Sequence, residues 1–559
     1  MPAPAALVFR NGPVHTMASS PAGPVPDAAA GPVLGPAPTA VAVRDGRIVL
    51  VGGEDEVGAL VGPGTEVVDL AGRALLPGFQ DAHVHPISGG LAMLGCDLSE
   101  AGDAAGAVAA VRAYAAANPD LEWVTGRGWL MDWFPGGTPA RGLLDEVVAD
   151  RPVYLMNADG HGAWVNTVAL RRGGIDANTP DPVDGRIERE GGGAPQGTLH
   201  EGAFNLVARH IPEPAPAELA RALLAAQGRL HSLGITGWQD ARVSPEIQRA
   251  YLGLVESGEL TARVVGALWW DRSRGAEQIP ELVERRVTAG RFRSTSIKIM
   301  QDGVAENFTA AMSTPYLDGC GCRTANRGLS FVDPELLREH VRALDAEGFQ
   351  VHVHAIGDRA AREALDAFEL ARAANGPGGG QDRRHHIAHL QVVHPDDVPR
   401  FAALGVTANI QPLWATHEPA MDELTIPFLG PGLADWQYPF ADLVRTGADL
   451  AAGSDWPVSS ANPFWGMHVA VNRAAPGATG EPFLPAQRLD LDTVLAAYTM
   501  GSARVNHLEA DTGSIEPGKL ADLVVVDRDP FRLPVTELAD TTVLASYVGG
   551  ERVHTAAGF

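Results

Sequence analysis

The amino-acid sequence predicts an α/β protein: a (β/α)8 TIM barrel with a small β-sandwich domain built from both chain ends and an α/β insertion after the first barrel strand. Three observations lead there. Eight short β-like runs alternate with helix-like runs along the chain. Both ends consist instead of strands and turns. Five of the eight β-runs finish in a histidine, lysine or aspartate, where barrels keep their chemistry.

Residues 1–74 alternate apolar runs with turns in "ALVFRNGPVHTM", "TAVAVRDGRIVLVGG" and "TEVVDLAGRALLPG". Asn-Gly and Asp-Gly between such runs signal hairpins, because both tolerate the positive φ of a tight turn. The intervening "ASSPAGPVPDAAAGPVLGPAP" reads as a loose loop. Residues 508–559 repeat the pattern in "GSIEPGKLADLVVVDRDP" and "VLASYVGGERVHT", so the two ends are expected to form one composite β domain. Residues 75–507 supply the barrel. Its first strand lies in "ALLPGFQDAHVH", followed by "ITGWQDA", "ARVVGALWW", "STSIKIMQDG", "FQVHVHA", "RRHHIAHLQ", "GVTANIQP" and "DLAAGSDWP". Helical runs such as "DPELLREHVRALDAEG" repeat apolar residues at three and four. An insertion over 98–215 is expected to cover the barrel mouth.

Composition narrows the function classes. A net charge of −25 argues against nucleic acid or an anionic membrane as partner. No apolar run is long enough to span a bilayer, and the N-terminus lacks the pattern of a signal peptide. Three cysteines, Cys96, Cys320 and Cys322, do not make a disulfide framework, so a cytoplasmic protein is expected. Lysine occurs only at Lys298 and Lys519, so 41 of 43 basic residues are arginine, and an amine kept at either place invites a chemical reason. Lys519 lies in a turn and is read as structural.

The predicted strand ends carry His83 and His85, then Lys298, then His352 and His354, then His385, His386 and His389, and finally Asp455. An H-x-H pair on a strand puts both imidazoles on one face. Imidazole and carboxylate suit Zn2+ and related divalent ions. Lys298, between isoleucines, would be costly to bury charged. A shifted pKa, carbamylation by CO2 to a metal-bridging anion, or pairing with Asp302 or Asp240 would each resolve that cost. Seven tryptophans, Trp129, Trp133, Trp164, Trp269, Trp270, Trp414 and Trp456, fall near the proposed mouth, where Trp129 and Trp164 with Asp302 are expected to touch substrate.

These residues, in "LLPGFQDAHVH", "IKIMQDGV", "VHVHAIGD", "HHIAHLQ" and "GSDWPV", resemble the metal-dependent amidohydrolase superfamily, in particular the group that contains N-substituted formamide deformylase. "RPVYLMNADGHGAWVNTVAL" and "GAPQGTLHE" in the insertion fit the same resemblance. It implies that His83 and His85 hold one ion beside Asp455. Carbamylated Lys298 would bridge to a second ion held by His354 and His389. Asp455 would be the general base. One or two divalent ions fit this pattern, with Zn2+ the expected choice. Ala388 and Gln301 stand where the group often has acidic or other residues, and this bears on substrate preference.

The implied chemistry is attack of a metal-activated hydroxide on the carbonyl of a small-molecule amide, formamide-like or cyclic. Asp455 moves the proton to the leaving nitrogen. His161 is read either as a donor to the oxyanion or as a loop histidine. Ester or lactone hydrolysis on the same site, and a non-catalytic metal-binding barrel, are the alternatives. The resemblance also allows a homo-oligomer.

Overall fold

The computed structural model describes residues 3–18, 37–376 and 382–559; the loop expected over 18–38 falls almost wholly outside them. Eight parallel strands run in sequence order: β1 (Phe79–Val84), β2 (Ile235–Val243), β3 (Arg263–Trp269), β4 (Phe292–Met300), β5 (Gln350–Ala355), β6 (His386–His389), β7 (Thr407–Ile410) and β8 (Leu450–Ala452). The resulting barrel is nearly closed. Alternation along each strand sorts the side chains: Ile297 and Ile299, or Val351 and Val353, pack outward into the main apolar core. Lys298, His352 and His354 take the opposite face and are almost wholly buried.

At the seam between β8 and β1, Asp455 N–H donates to the His83 carbonyl and His85 N–H to the Trp456 carbonyl, both at 2.8 Å. The Asp81 carboxylate accepts the Ser454 N–H at 3.0 Å and the Ser454 hydroxyl at 2.5 Å. Gly453 permits this approach, since a Cβ there would stand 2.6 Å from the His83 nitrogen. The seam therefore fixes Asp455 against His83 through the backbone.

The apolar run expected as one first strand is divided at Gly78. Ala74–Pro77 pairs antiparallel with Leu523–Val526, whereas β1 starts at Phe79, whose N–H donates to Gly234 in the barrel. The reason is a change of partner: Gly78 N–H donates to the Asp522 carbonyl, so the chain leaves one sheet as it enters the next. Two four-stranded sheets come from the chain ends. One runs Arg47–Gly52, Ala40–Arg44, Leu7–Arg10, Glu66–Asp69; the other runs Glu551–Thr555, Val543–Val548, Leu523–Val526, Ala74–Pro77. Leu7, Phe9 and Val43 share a core with Leu523, Val525 and Tyr547. Lys519 is tied locally, its Nζ donating to Ser514 Oγ at 2.6 Å.

Between β1 and β2 a six-stranded sheet is ordered Gly185–Arg189, Pro195–Glu201, Gly162–Val165, Val153–Asn157, Val124–Trp129, Cys96–Asp97. Its own cores lie around Trp129, Phe134 and Trp164 on one side and Trp123, Tyr154 and Leu199 on the other. Among the described residues no helix is long and apolar enough to cross a membrane.

One ion pair ties barrel to end domain. Arg263, opening β3, donates Nε to Asp522 Oδ2 at 2.6 Å and Nη2 to Asp522 Oδ1 at 2.9 Å, and the Asp522 side chain is 1% exposed. Truncating the arginine would strand a buried carboxylate. Arg263→Ala is expected to destabilise the protein by about 3–5 kcal/mol, read from urea unfolding, with Arg263→Lys recovering only part because the two-pronged geometry is lost.

Candidate metal centre

The residues predicted to ligate metal meet at the C-terminal end of the barrel. His83, on β1, places Nε2 3.3 Å from Asp455 Oδ1, and His85, just beyond β1, places Nε2 3.0 Å from the same oxygen. These three residues each offer a ligand atom within 4.8 Å of the others. His389 brings Nδ1 to 3.9 Å from Asp455 Oδ2, and its ring lies 4.4 Å from that of His354. His389 and Asp455 both have positive φ, 80° and 56°, which aims them into the mouth at a local backbone cost. His389 Nδ1 and Asp455 Oδ1 are buried without a hydrogen-bond partner. Buried polar atoms are ordinarily satisfied, so a divalent cation fits this donor set.

A chain of hydrogen bonds behind His83 fixes which nitrogen it presents. Gln239 donates Nε2 to Asn506 Oδ1 at 2.9 Å, which turns its Oε1 toward His352 Nδ1, 2.6 Å away. His352 therefore carries its proton on Nδ1 and accepts at Nε2, from His83 Nδ1 at 3.0 Å and Lys298 Nζ at 3.3 Å. That assignment leaves His83 Nε2 with a free lone pair facing Asp455. The resemblance places a ligand at His354 and none at His352. The structure gives it a positioning role instead.

Burial dominates the electrostatics. It pushes His83 down to about 3, with Lys298 adding repulsion, and holds His352, His354, His386 and His389 well below the usual imidazole range. Burial also brings Lys298 down to about 7. Burial opposes the charge on Asp455, but His83 and His85 outweigh it and keep that carboxyl well below its ordinary value. Neutral imidazoles around one carboxylate are the form in which these side chains bind a cation.

The ligand set floors a cavity of about 620 Å3 that includes His161, Glu201, Trp269 and Trp414. His161 Nδ1 lies 2.8 Å from Glu201 Oε1, which also accepts from Thr309 Oγ1 at 2.9 Å. Glu201 holds φ at 51°, a strained conformation for glutamate at the end of an insertion strand. A second cavity of about 430 Å3 shares Asp159, Val304 and Trp414 with the first and includes Trp129.

Other expected substrate contacts are placed differently. Trp164 is fully buried in the insertion core, its Nε1 donating to the Ala140 carbonyl, and it lines neither cavity. Asp302 is also fully buried; it accepts N–H groups of Ala311, Ile356 and Gly357 and lies 3.5 Å from His354 Nε2. It buttresses His354 and faces no substrate space. Trp270 packs on His340, while Trp414 stacks on His389 at 5.2 Å. Cys320 and Cys322 are exposed loop residues whose N–H groups donate to Asp318. Glu201 went unrecognised in the sequence, since the "HE" that ends an insertion strand has no spacing to mark it.

The Amidohydrolase family model matches residues 66–554. Protein LONG AFTER FAR-RED 3 of Arabidopsis thaliana is 32% identical, covering 92% of this chain and 88% of that protein. The N-substituted formamide deformylase of Arthrobacter pascens is 27% identical, covering 91% and 94%. Among solved structures, a metal-dependent hydrolase of Pyrococcus horikoshii OT3 is 25% identical with a TM-score of 0.72, covering 95% of this chain and 99% of that one.

Burial works against a charged His161, but the Glu201 carboxylate outweighs it and raises the imidazole to about 9, above its ordinary 6.5. The pair thus contributes stability that is complete below about pH 6.5 and lost as pH climbs through about 9. In Glu201→Gln the counter-charge is gone, and imidazole NMR is expected to show His161 neutral at pH 7.5, where the wild type is protonated.

Proposed function

The chain belongs to the amidohydrolase family, and from that premise we propose that it hydrolyses a carbon–nitrogen bond in a small amide with a divalent metal at the barrel mouth. The observation that carries this reading is the convergence of His83 Nε2 and His85 Nε2 on one oxygen of Asp455, 3.3 and 3.0 Å away. The relative named N-substituted formamide deformylase, aligned over 91% of the chain, supports formamide-like amides as first substrates.

His83, His85 and Asp455 would hold one ion, and His354, His389 and Lys298, carbamylated, a second. A bound divalent ion supplies Lewis acidity toward the carbonyl and lowers the pKa of water toward 7. The protein's own groups do the rest. Asp455 takes the proton of the attacking water at its carboxylate and returns it to the leaving nitrogen. In the free site it stands as the carboxylate, the form able to accept that proton. His161, held protonated by Glu201, donates to the oxygen that gains charge during attack. His352 keeps His83 in the tautomer that leaves Nε2 free.

Metal per chain by elemental analysis is the first test. Wild type is expected to carry about two ions, Lys298→Arg about one, with amidase kcat/KM falling roughly 100-fold or more. Asp455→Asn is expected to lose turnover by roughly 1,000-fold on a panel pairing amides with matched esters. Wild type that neither retains nor takes up metal would overturn the reading. His352→Ala, which removes no proposed ligand but deletes the hydrogen bond that orients His83, is expected to weaken zinc binding about 10–100-fold in competition with a chromogenic chelator.

A further inference from the structure

Two guanidinium groups in the metal-adjacent cavity have no counter-ion. Arg127 reaches the cavity from the insertion strand Val124–Trp129, and Arg242 comes from the end of β2. Among the described residues neither forms an ion pair. Arg127 donates Nη2 to the Ala158 carbonyl at 2.9 Å and leaves Nε buried without an acceptor. Arg242 lies over the Trp269 ring at 5.0 Å, a stacking that occupies the face of the guanidinium and leaves its N–H edge free. The third arginine of the cavity, Arg272, contrasts with both: it is bonded to Asp184 at 2.6 Å and lies over Phe331.

The carboxylates nearby are already occupied. Asp184 holds Arg272, Glu201 holds His161, Asp271 accepts from Ser273, and Asp159 accepts the His161 N–H. Burial brings Arg127 down to about 10, opposed by the charges of Asp455, Asp159 and Asp97 and aided by Arg242; burial also lowers Arg242, opposed by Tyr154 and Asp240. At that value Arg127 is still a cation at neutral pH.

We propose that Arg127 and Arg242 form a clamp for a carboxylate on the substrate, so that the amide cleaved carries a carboxylate a few bonds from its scissile carbonyl. The clamp spans two parts of the fold, one arginine from the insertion and one from the barrel. Guanidinium groups match the planar carboxylate by parallel N–H bonds. The cavity also holds Asp159, Asp184, Glu201, Asp271 and Asp455, whose repulsion limits the clamp to a single negative charge. Anchoring there fixes the orientation of the scissile bond over the Asp455 carboxylate. The substrate assignment rests on the hydrolase reading; the anion site does not.

The test pairs turnover with binding on the metal-loaded protein. Probes are 4-formamidobenzoate and N-formyl-β-alanine, each with its methyl ester. Wild type is expected to prefer an acid over its ester by roughly 100-fold in kcat/KM, chiefly through KM. Arg127→Gln and Arg242→Gln are each expected to remove most of that preference, the kcat/KM for deformylation of the acid falling toward that of its methyl ester. Arg274→Gln, a surface arginine paired with Glu281, serves as control and is expected to match wild type. Acid and ester cleaved equally well by wild type, or a preference that survives in the double variant, would overturn the clamp and leave the hydrolase reading standing. Turnover of none of the probes would count against the hydrolase reading, and benzoate affinity by calorimetry then decides the clamp. Binding about tenfold weaker in each variant supports it; equal affinity in all of them overturns it.

Discussion

The structure is organised around the cost of removing basic side chains from water together. At the barrel mouth His83, His354, His389 and Lys298 are almost fully buried, with Asp455 as their shared anion. Protonating the imidazoles would charge a desolvated cluster, so the fold keeps them neutral and their lone pairs available. A cluster of this kind is at ease only with a cation bound, which is why orphaned atoms on His389 and Asp455 mark its centre. The seam through Asp81, Gly453 and Asp455 belongs to the same arrangement, because it sets the carboxylate by backbone contacts and not by a flexible side chain alone.

The barrel does not complete this site by itself. His161, Glu201 and Arg127 come from the insertion and Arg242 from the barrel, so groups that would meet substrate are divided between two layers. The insertion rests on its own apolar cores, while Asn307 and Thr309, from the loop after β4, hold the strained Glu201 from the barrel side.

What the sequence made legible followed from periodicity. "VHVHA" and "SIKIM" reveal by alternation which side chains enter the barrel, and eight such runs in order define the barrel itself. Alternation says nothing of depth. His352 and His354 share a face, yet one orients His83 from below while the other stands at the mouth beside His389. The same limit explains Trp164 and Asp302: a side chain quoted beside a motif can serve as packing or as a buttress. Glu201 and Arg127 were illegible for a different reason. Their meaning depends on which partners are present or missing across the fold, and no local spacing encodes that. The break at Gly78 escaped notice because both halves of the run are equally apolar, and only the competing partners, Leu523–Val526 and β2, separate them.

The exchange of partners at Gly78 has a consequence for how the molecule is made. Leu75 pairs with Val525, roughly 450 residues downstream, so the sheet that anchors the base of β1 waits for almost the last segment to be synthesised. At ordinary ribosomal speeds that is an interval of roughly 20–90 s. Throughout it "ALLP" has a partner on one edge only, Leu75 donating to the Pro13 carbonyl and accepting from the His15 N–H, and its other edge stays open. The metal-facing β1 finds its partner β2 midway through synthesis, whereas the strand at its base is clasped only when Leu523–Val526 arrives.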